Sequence, residues 1–311
     1  MMPVAPGHPD YSSTGPNEFV PQLWSGKMQV KYYAYCVLTH ITNNDWEGEI
    51  KKMGDTVFIR SIPSIAVNDY YIGKKLNYEN PQSPALTLTI DKGKDWGIKL
   101  NDVYRIQSDL PLLDKWTTDA SLQMKIKVET SFFADPVVYA GMDAANMGAT
   151  AGAKSQSYNM GAAGAPIQLT KANVLDYIVD MNCVLDEQNV LDDQRWIVLP
   201  TWAVGMIKKS DLKDASLMGD GQSTLRNGRI GMIDNTTIYK SNLLNVVADG
   251  SGVPATYALF GHKNGLTFAS QVTETEKLRD PFDFGDIVRG LKIYGYKAAK
   301  PQAFGCLYIR K

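Results

Sequence analysis

Apolar and polar residues alternate strictly over residues 86–91 and again over residues 96–100. In each segment every second residue is leucine, isoleucine or tryptophan, so these side chains fall on one face. This period is typical of strands with one solvated face. A third strand is predicted over residues 56–62, directly after a Gly-Asp turn. Residues 52–108 are therefore predicted to be rich in β-structure.

A long excursion, residues 63–84, separates the strands at 56–62 and 86–91. Near its centre are paired tyrosines and paired lysines: Tyr70, Tyr71, Lys74 and Lys75. Two strands joined by so long a tip form an extended two-stranded ribbon. Such a ribbon is only marginally stable by itself in water, so we expect it to rely on contacts outside itself.

Helical periodicity replaces alternation over residues 109–145. Apolar residues recur there at steps of three and four, which predicts one stripe along a long helix: Leu113, Trp116, Ala120, Met124, Val128 and Phe132. Ser108 or Asp109 can cap this helix, and Pro111 suits its first turn. Pro136 is expected to kink or restart it.

A stretch rich in Gly, Ala, Ser and Met, residues 144–166, is interpreted as a surface loop or a domain boundary. Beyond it, Thr170 is expected to cap a helix whose inner face carries apolar residues. Residues 195–199 are predicted to form a buried strand, and a second helix is predicted over 201–208.

The remaining pattern indicates strands separated by turns. The predicted strands are 229–232, 236–240, 257–260, 266–269, 287–296 and 303–309. Asp234-Asn235 tolerates positive φ and is predicted to form a turn. The glycine-containing turn at 263–265 is a strong hairpin signal. Together with the long helix, these elements predict an α+β fold.

The N-terminal residues 1–21 contain five prolines and are predicted to form an irregular arm. Residues 23–41 have few charges and several aromatic side chains, among them Trp24, Tyr32 and Tyr33. They are predicted to include a short helix that docks on another surface, because an arm of this type rarely packs on its own domain. The aromatic stretch is expected to lie on a neighbouring molecule or along the long helix of its own chain. No stretch approaches 18 consecutive apolar residues, so no transmembrane helix is expected.

Charge composition argues against a dedicated DNA-binding protein. The chain has 32 Lys and Arg against 33 Asp and Glu in 311 residues, a net charge of −1. Duplex-DNA binders usually carry a basic face that neutralises phosphates. A near-neutral surface also offers little repulsion against self-association. The three cysteines are far apart, which indicates free thiols in a reducing compartment and argues against a disulfide framework.

No catalytic constellation stands out in the sequence. Residues 219–224 look loosely like a phosphate-binding loop, but they lack the lysine and the correct length. The acidic pairs at 186–187 and 192–193 have no third ligand at a fixed spacing. The three histidines are scattered, and His262 is expected to be exposed in a turn. We therefore predict no catalytic, cofactor-binding or metal-binding residues and a protein that is not an enzyme.

The order of these elements resembles the major capsid proteins of tailed bacteriophages, whose fold is shared with the herpesvirus capsid floor and with encapsulins. Short phrases resemble the family as well: residues 54–59, 195–200, 231–234, 238–242 and 288–295. In that family an N-terminal arm leads to a β-ribbon called the E-loop. A long spine helix, a peripheral domain and an axial domain follow.

The resemblance implies a domain division. The N-terminal arm would be residues 1–45 and the E-loop residues 46–105. The peripheral domain with the spine helix would comprise 106–166 and 283–311, and the axial domain 167–282. Residues expected to make assembly contacts lie in the arm and in the ribbon: Trp24, Tyr32, Tyr33, Asp69, Tyr70, Tyr71, Lys74 and Lys75.

The implied function is a shell subunit that forms hexamers and pentamers around the double-stranded DNA genome of a tailed phage. An encapsulin-type cargo shell is the alternative. Some family members carry a scaffolding segment before the arm, and the early ribbon leaves no room for one, so a separate scaffolding protein is expected. A portal protein, optionally a decoration protein, and weak non-specific DNA contact complete the expected partners. The protein would be assembled in the host cytoplasm and reside in the virion.

Overall fold

The computed structural model describes residues 31–45, 56–103, 112–210, 232–250 and 252–311. The helices are α1 (Leu38–Ile41), α2 (Leu112–Ala134), α3 (Pro136–Ala140), α4 (Val174–Glu187) and α5 (Thr201–Ile207). The strands are β1 (Thr56–Arg60), β2 (Ala85–Thr89), β3 (Lys92–Asn101), β4 (Ile167–Gln168), β5 (Arg195–Leu199), β6 (Met232–Ile233), β7 (Thr236–Lys240), β8 (Val246–Ala248), β9 (Pro254–His262), β10 (Leu266–Arg279), β11 (Gly285–Ala298) and β12 (Phe304–Arg310). This mixture of helix and sheet confirms the predicted α+β class.

A seven-stranded mixed sheet forms the centre of the molecule. Its strand order is β4-β12-β9-β5-β7-β6, with β8 paired to β9. Alternate residues of β5 point to opposite faces: Ile197 packs in a core with α4 and α5, whereas Trp196 and Val198 pack in a second core with α1, α2 and α3. Because both faces are covered, all five residues of β5 are buried, as the apolar run at 196–199 predicts.

A three-stranded antiparallel sheet extends from this body in the order β10-β11-β3. β10 and β11 are both 14 residues long and pair along their whole length. Phe132 of α2 makes an edge-to-face contact with Tyr296 of β11, with ring centroids 5.0 Å apart. A separate two-stranded ribbon is formed by β1 and β2. Among the described helices, none combines the length and the apolar character needed to cross a membrane.

Several predicted local features are confirmed. The described side chains of the predicted α2 stripe all avoid full exposure, and Val128 and Phe132 are buried. Asp135 restarts the chain as α3, because its carboxylate accepts a hydrogen bond from Val137 N at 2.9 Å. Asp234 and Asn235 turn between β6 and β7 with φ of 51° and 57°. The predicted start of the long helix at 108–111 lies outside the described residues.

The predicted hairpin at residues 263–265 is wrong. A short 3₁₀ turn is present at Lys263–Gly265, but β9 and β10 lie in different sheets. Both edges of β9 are occupied, since it pairs with β12 on one side and with β5 on the other. β10 therefore turns away and pairs with β11.

Residues 144–166 are more than a surface loop. Ala151 and Met160 are fully buried in the core that contains α4. The carbonyl of Met160 accepts a hydrogen bond from Tyr308 N at 2.8 Å, which ties this stretch to β12. Thr170 does not cap α4, which begins at Val174; instead, Thr170 N donates to the side chain of Asn173 at 2.7 Å. Small residues permit close packing in residues 144–166, since a Cβ on Gly161 would collide with the Tyr308 carbonyl.

Strand pairing does not follow the predicted domain limits. β10 falls in the predicted axial segment 167–282, yet it pairs with β11 in the three-stranded sheet. β12 falls in the predicted peripheral segment 283–311, yet it pairs with β9 in the central sheet. The limits stay predictions, because hydrogen bonding alone does not define domains.

Candidate assembly surfaces

The ribbon tip (residues 61–84) leaves its large apolar side chains in solvent. It contains no regular strand and connects β1 to β2. Four of its apolar side chains are at least 90% exposed: Ile62, Val67, Ile72 and Tyr78. Few groups bind the two limbs of the tip together. One such contact is the hydrogen bond from Ala66 N to the Glu79 carboxylate at 3.3 Å. This concentration of exposed apolar groups is typical of a protein interaction surface.

The predicted contact residues of the tip gather in one turn. Lys74 N donates to the Tyr71 carbonyl at 3.1 Å, and Gly73 between them has φ of +90°, which favours glycine. The Lys74 ammonium donates to the Asp69 carbonyl at 2.5 Å and lies 5.8 Å from the Tyr71 ring centroid. Tyr70 and Lys75 of the same turn are exposed. The turn thus presents two tyrosines and two cations together.

The base of the ribbon is anchored on the three-stranded sheet. Leu88, Ile90 and Ala269 are buried in a small cluster there. β2 also passes close to β11 at Gly295, where any Cβ would collide with the Thr89 carbonyl. The ribbon is therefore fixed at its base, while its tip lacks a comparable cluster of buried residues.

The arm segment (residues 31–45) lies along α2 of the same subunit. The Lys31 ammonium pairs with the Asp119 carboxylate at 2.8 Å, and the Tyr33 hydroxyl donates to the same carboxylate at 2.7 Å. Tyr32, between these two residues, is 94% exposed. Trp24, the other predicted contact of the arm, lies outside the described residues.

A buried carboxylate fixes the next turn of the arm. Glu129 of α2 is only 1% exposed, and its Oε2 accepts hydrogen bonds from Val37 N at 2.8 Å and Leu38 N at 3.0 Å. These are the free N–H groups at the start of α1, which a carboxylate is well suited to bind. The expectation that the arm rarely packs on its own domain is therefore wrong for this part, because Val37 and Ile41 are core residues. The contacts of Lys31 and Tyr33 with α2 agree with the alternative that the aromatic stretch lies along the long helix of its own chain.

The pKa values of the two carboxylates that bind the arm, Asp119 and Glu129, are shifted in opposite directions. The Lys31 ammonium and the Tyr33 hydroxyl lower the pKa of Asp119 below its ordinary value. Burial raises the pKa of Glu129, although its two backbone hydrogen bonds oppose that effect. Burial, reinforced by Glu129, also raises the pKa of the adjacent Cys36 thiol to about 11. The thiol is therefore neutral at physiological pH.

The acidic pairs singled out in the sequence make structural contacts. Arg195 is buried and pairs with the carboxylates of Asp186 at 2.6 Å and Asp192 at 2.7 Å. Glu187 accepts hydrogen bonds from Lys154 N and Ser155 N. Within the described residues, no three acidic, histidine or cysteine side chains cluster in a way that could hold a metal ion. Residues 219–224 lie outside the described part of the chain.

His262 is buried rather than exposed, which corrects the sequence-based expectation. Its Nδ1 accepts a hydrogen bond from Asn264 N at 3.1 Å, and its Nε2 lies 3.3 Å from the Asp193 carboxylate. The ring thereby ends β9 and closes the following 3₁₀ turn. These contacts give His262 a structural role.

Comparison with known proteins identifies the family of this chain. A family profile described as phage capsid protein matches residues 85–307. The chain belongs to the phage capsid protein family.

Solved structures show the same fold for this capsid protein. One from Mycobacterium phage Che8 has a TM-score of 0.72 and 23% identity, covering 93% of this chain and 97% of that chain. The capsid of cyanophage P-SCSP1u has a TM-score of 0.69 and 11% identity, covering 100% and 99%. The capsid of a native GTA particle has a TM-score of 0.64 and 14% identity, covering 97% and 98%. No curated protein matches the sequence significantly.

These findings confirm that this is a major capsid protein with the tailed-phage capsid fold. The encapsulin-type alternative is not favoured. Its role is structural, it is located in the capsid of the virion, and it assembles with other copies of itself into the capsid shell.

Sequence reasoning missed one exposed surface of this capsid protein. The aromatic turn (residues 280–284) connects β10 to β11 and places Phe282 and Phe284 in solvent. The available signal was the run Asp-Pro-Phe-Asp-Phe, in which two large apolar residues stand among turn-forming residues. The predicted domain limit at 282–283 divides this turn.

Proposed function

We propose that this capsid protein assembles through hexamers and pentamers into an icosahedral shell that encloses the double-stranded DNA genome of a tailed phage. Several of the similar solved structures are phage capsids, which supports the proposal. The observation that carries it is the ribbon tip, whose apolar side chains its own subunit leaves uncovered.

The ribbon tip would lie across a neighbouring subunit. Burying one large aliphatic or aromatic side chain contributes about 1.5–3 kcal/mol. Several such side chains in one tip would contribute several kcal/mol for each subunit contact, partly offset by the ordering of the tip. Asp69, Tyr70, Tyr71, Lys74 and Lys75 would take part, and Tyr32 and Tyr33 of the arm would add a second contact.

The domain roles follow the family pattern. Residues 1–45 would act as the arm and 46–105 as the E-loop. Residues 106–166 with 283–311 would form the peripheral domain, and 167–282 the axial domain. The anchored base and exposed tip of the ribbon support the E-loop assignment.

Further partners would act during assembly and on the finished shell. A separate scaffolding protein would direct assembly in the host cytoplasm, and a portal protein would occupy one vertex. A decoration protein could bind the outside. Contact with packaged DNA would be weak and non-specific, since a net charge of −1 offers little counterion release. The role would involve no catalysis or cofactor.

Replacing residues 63–84 by a Gly-Asn turn tests the proposal. The ribbon base and the body should keep their fold, so the circular dichroism spectrum should be unchanged apart from the deleted residues. The melting temperature should shift by only a few degrees. Assembly should be lost, because the neighbouring subunit loses its cover. Electron microscopy and sedimentation, with the scaffolding protein present, would measure this.

A matched variant separates surface chemistry from chain length. Changing Ile62, Val67, Ile72 and Tyr78 to serine keeps the backbone length and should also abolish or strongly reduce assembly. Normal shells from both variants would contradict the proposed role of the tip. Unfolding of the shortened variant would show instead that the tip belongs to the subunit core.

A further inference from the structure

The buried histidine at the end of β9, His262, has hydrogen bonds that fix its charge state. The side chain is only 4% exposed, and its Nδ1 accepts a hydrogen bond from Asn264 N at 3.1 Å. A backbone N–H can only donate, so Nδ1 carries no proton in this arrangement. The ring proton is therefore on Nε2, which donates to the Asp193 carboxylate at 3.3 Å. The imidazole is neutral.

The turn that His262 closes lies at the junction of the two large sheets. β9 belongs to the seven-stranded sheet and β10 to the three-stranded sheet, and residues 263–265 join them. Residues 299–303 make the second direct connection, between β11 and β12. The Gly265 carbonyl bonds the two connections to each other, because it accepts a hydrogen bond from Ala299 N at 2.8 Å. The backbone of the turn therefore helps to hold the two sheets together.

The arm segment is tied to the same junction. Asn43 N donates to the Leu266 carbonyl at 2.8 Å, and Phe268 N donates to the Asn43 carbonyl at 3.0 Å. The Asn43 side chain also donates to the side-chain oxygen of Asn264 at 3.5 Å. The central sheet, the three-stranded sheet and the arm thus meet at the turn after His262.

The charged groups around the histidine nearly cancel one another. They lie on β5, on the loop before it, on α4, in the two connections and on the arm: Arg195, Asp192, Asp193, Asp186, Lys263, Lys300 and Asp45. Four carboxylates stand against three cations. Arg195, which is directly opposite His262 in the strand register, is already paired with Asp186 and Asp192. A proton on the ring would therefore meet no excess of positive charge.

Protonation would act on the turn and spare the contact with Asp193. A proton on Nδ1 would point at the Asn264 N–H, so that two donors would face each other and their hydrogen bond would be lost. The bond from Nε2 to Asp193 uses the proton that Nε2 already carries, and a positive ring would strengthen it. Histidine is the side chain whose charge ordinarily changes between about pH 5 and 8. The turn is therefore the part of this junction that should respond to mild acid.

We propose that His262 is a pH-sensitive lock on the junction between the two sheets, in which the neutral ring closes the turn at residues 263–265 and protonation opens it. An open turn binds the proton more tightly than the closed turn, so the closed turn is favoured at higher pH and is lost as the pH falls. The lock belongs to the single subunit and goes beyond the proposed shell function.

Amide hydrogen exchange of the full-length free subunit tests the lock. Exchange is measured from about pH 7.5 down to about pH 5 and corrected for the intrinsic rate at each pH. We expect the protection of Asn264 to fall about fivefold to tenfold, the change that the loss of one hydrogen bond produces. The protection of β5 should stay the same. Constant protection of Asn264 over this range would overturn the inference, whether or not the chain forms shells.

Two substitutions at residue 262 separate the lock from a merely structural role. His262→Asn keeps an oxygen that can accept from the N–H two residues further on but does not titrate, so the turn should stay closed throughout the pH range. His262→Ala has no acceptor, so the turn should exchange rapidly at every pH. The control His40→Asn removes an exposed histidine and should leave the pH response unchanged.

The asparagine variant gives the decisive result. If the pH response of Asn264 persists in His262→Asn, another group causes it and the inference is wrong. If His262→Ala does not fold, the comparison between the natural chain and His262→Asn still decides, because both have an acceptor for Asn264 N.

Discussion

The arm segment (residues 31–45) and the ribbon tip (residues 61–84) both have little regular secondary structure, and each carries three tyrosines. In the arm, Val37 and Ile41 are completely buried against α2. In the tip, Ile62 and Ile72 are more than 90% exposed. Of these two segments, the arm thus buries its aliphatic side chains, whereas the tip exposes them to solvent.

The difference comes from what each segment finds in its own subunit. The arm meets the buried Glu129, which binds its free backbone N–H groups. It also meets an apolar groove that contains Phe132 and Phe133. The tip extends beyond its small anchoring cluster at Leu88 and Ile90 and reaches no such surface. Irregular backbone therefore does not by itself indicate an element that depends on neighbours for order.

Matched isoleucine substitutions should give the largest contrast. Ile41→Ala removes a fully buried side chain and should lower the free energy of unfolding by about 2–5 kcal/mol. Ile72→Ala removes a side chain that is 94% exposed and should change it by less than about 0.5 kcal/mol. Urea denaturation of the free subunit would measure both.

Assembly should reverse the ranking of these two variants. Ile72→Ala should reduce the shell yield although the subunit is stable, while folded Ile41→Ala subunits should still assemble. Equal destabilisation by the two substitutions would show that the tip packs on its own subunit. The comparison between arm and tip would then be wrong.

The sequence predicted local elements well, because their signals are local. The alternation over 86–91 indicates a strand directly, and the run at 195–199 is short and rich in β-branched and aromatic residues, which favours a strand over a helix. Tyr70 and Lys75 stay predicted assembly contacts, and the structure shows that both side chains are exposed. Pairing between distant segments was not predictable in the same way. Nothing near residues 263–265 indicates that both edges of β9 are already occupied.

The Glu129 contact of the arm and the aromatic turn were missed for related reasons. Glu129 lies 92 residues from Val37, and a glutamate within a helix pattern is normally interpreted as solvent-facing. Phe282 and Phe284 were missed because single exposed aromatic residues carry no periodic signal. Tertiary contacts decide whether such residues are covered.

A second difference between the arm and the ribbon should appear when the Glu129 carboxylate, which binds the arm, is removed. Glu129→Ala leaves the buried N–H groups of Val37 and Leu38 without their acceptor, which should destabilise the docked arm by about 1–3 kcal/mol. Amide hydrogen exchange of the arm segment should accelerate accordingly, while the exchange of β1 and β2 should stay unchanged. Glu129→Gln keeps an acceptor oxygen and should retain most of the protection. Unchanged exchange in the alanine variant would show that the apolar contacts of Ile41 alone hold the arm.

The pH dependence at Glu129 should favour docking in acid. Its pKa is raised by burial above the ordinary value of 4.5, so the docked arm binds a proton more tightly than a released arm would. The nearby titratable groups are the Cys36 thiol on the arm and Lys125 on α2, which acts on that thiol. Protection of Val37 and Leu38, corrected for intrinsic exchange, should therefore rise as the pH falls through the range between the ordinary and the raised pKa. Glu129→Gln should remove this rise.

The smallest expected effect, and one of opposite sign, is at Asp119. Its pKa is lowered by Lys31 and Tyr33, so its contribution to docking is complete above the ordinary value of 3.8 and is lost as the pH falls through the lowered pKa. Because the pair with Lys31 is exposed and screened by salt, Asp119→Asn should change the exchange of residues 31–35 by at most about fivefold. High salt should reduce that change further, whereas the effect of Glu129→Ala should persist in high salt because Glu129 is buried. If both substitutions responded to pH and salt alike, the arm would be held by one kind of interaction along its length, and the distinction between its exposed start and its buried turn would not stand.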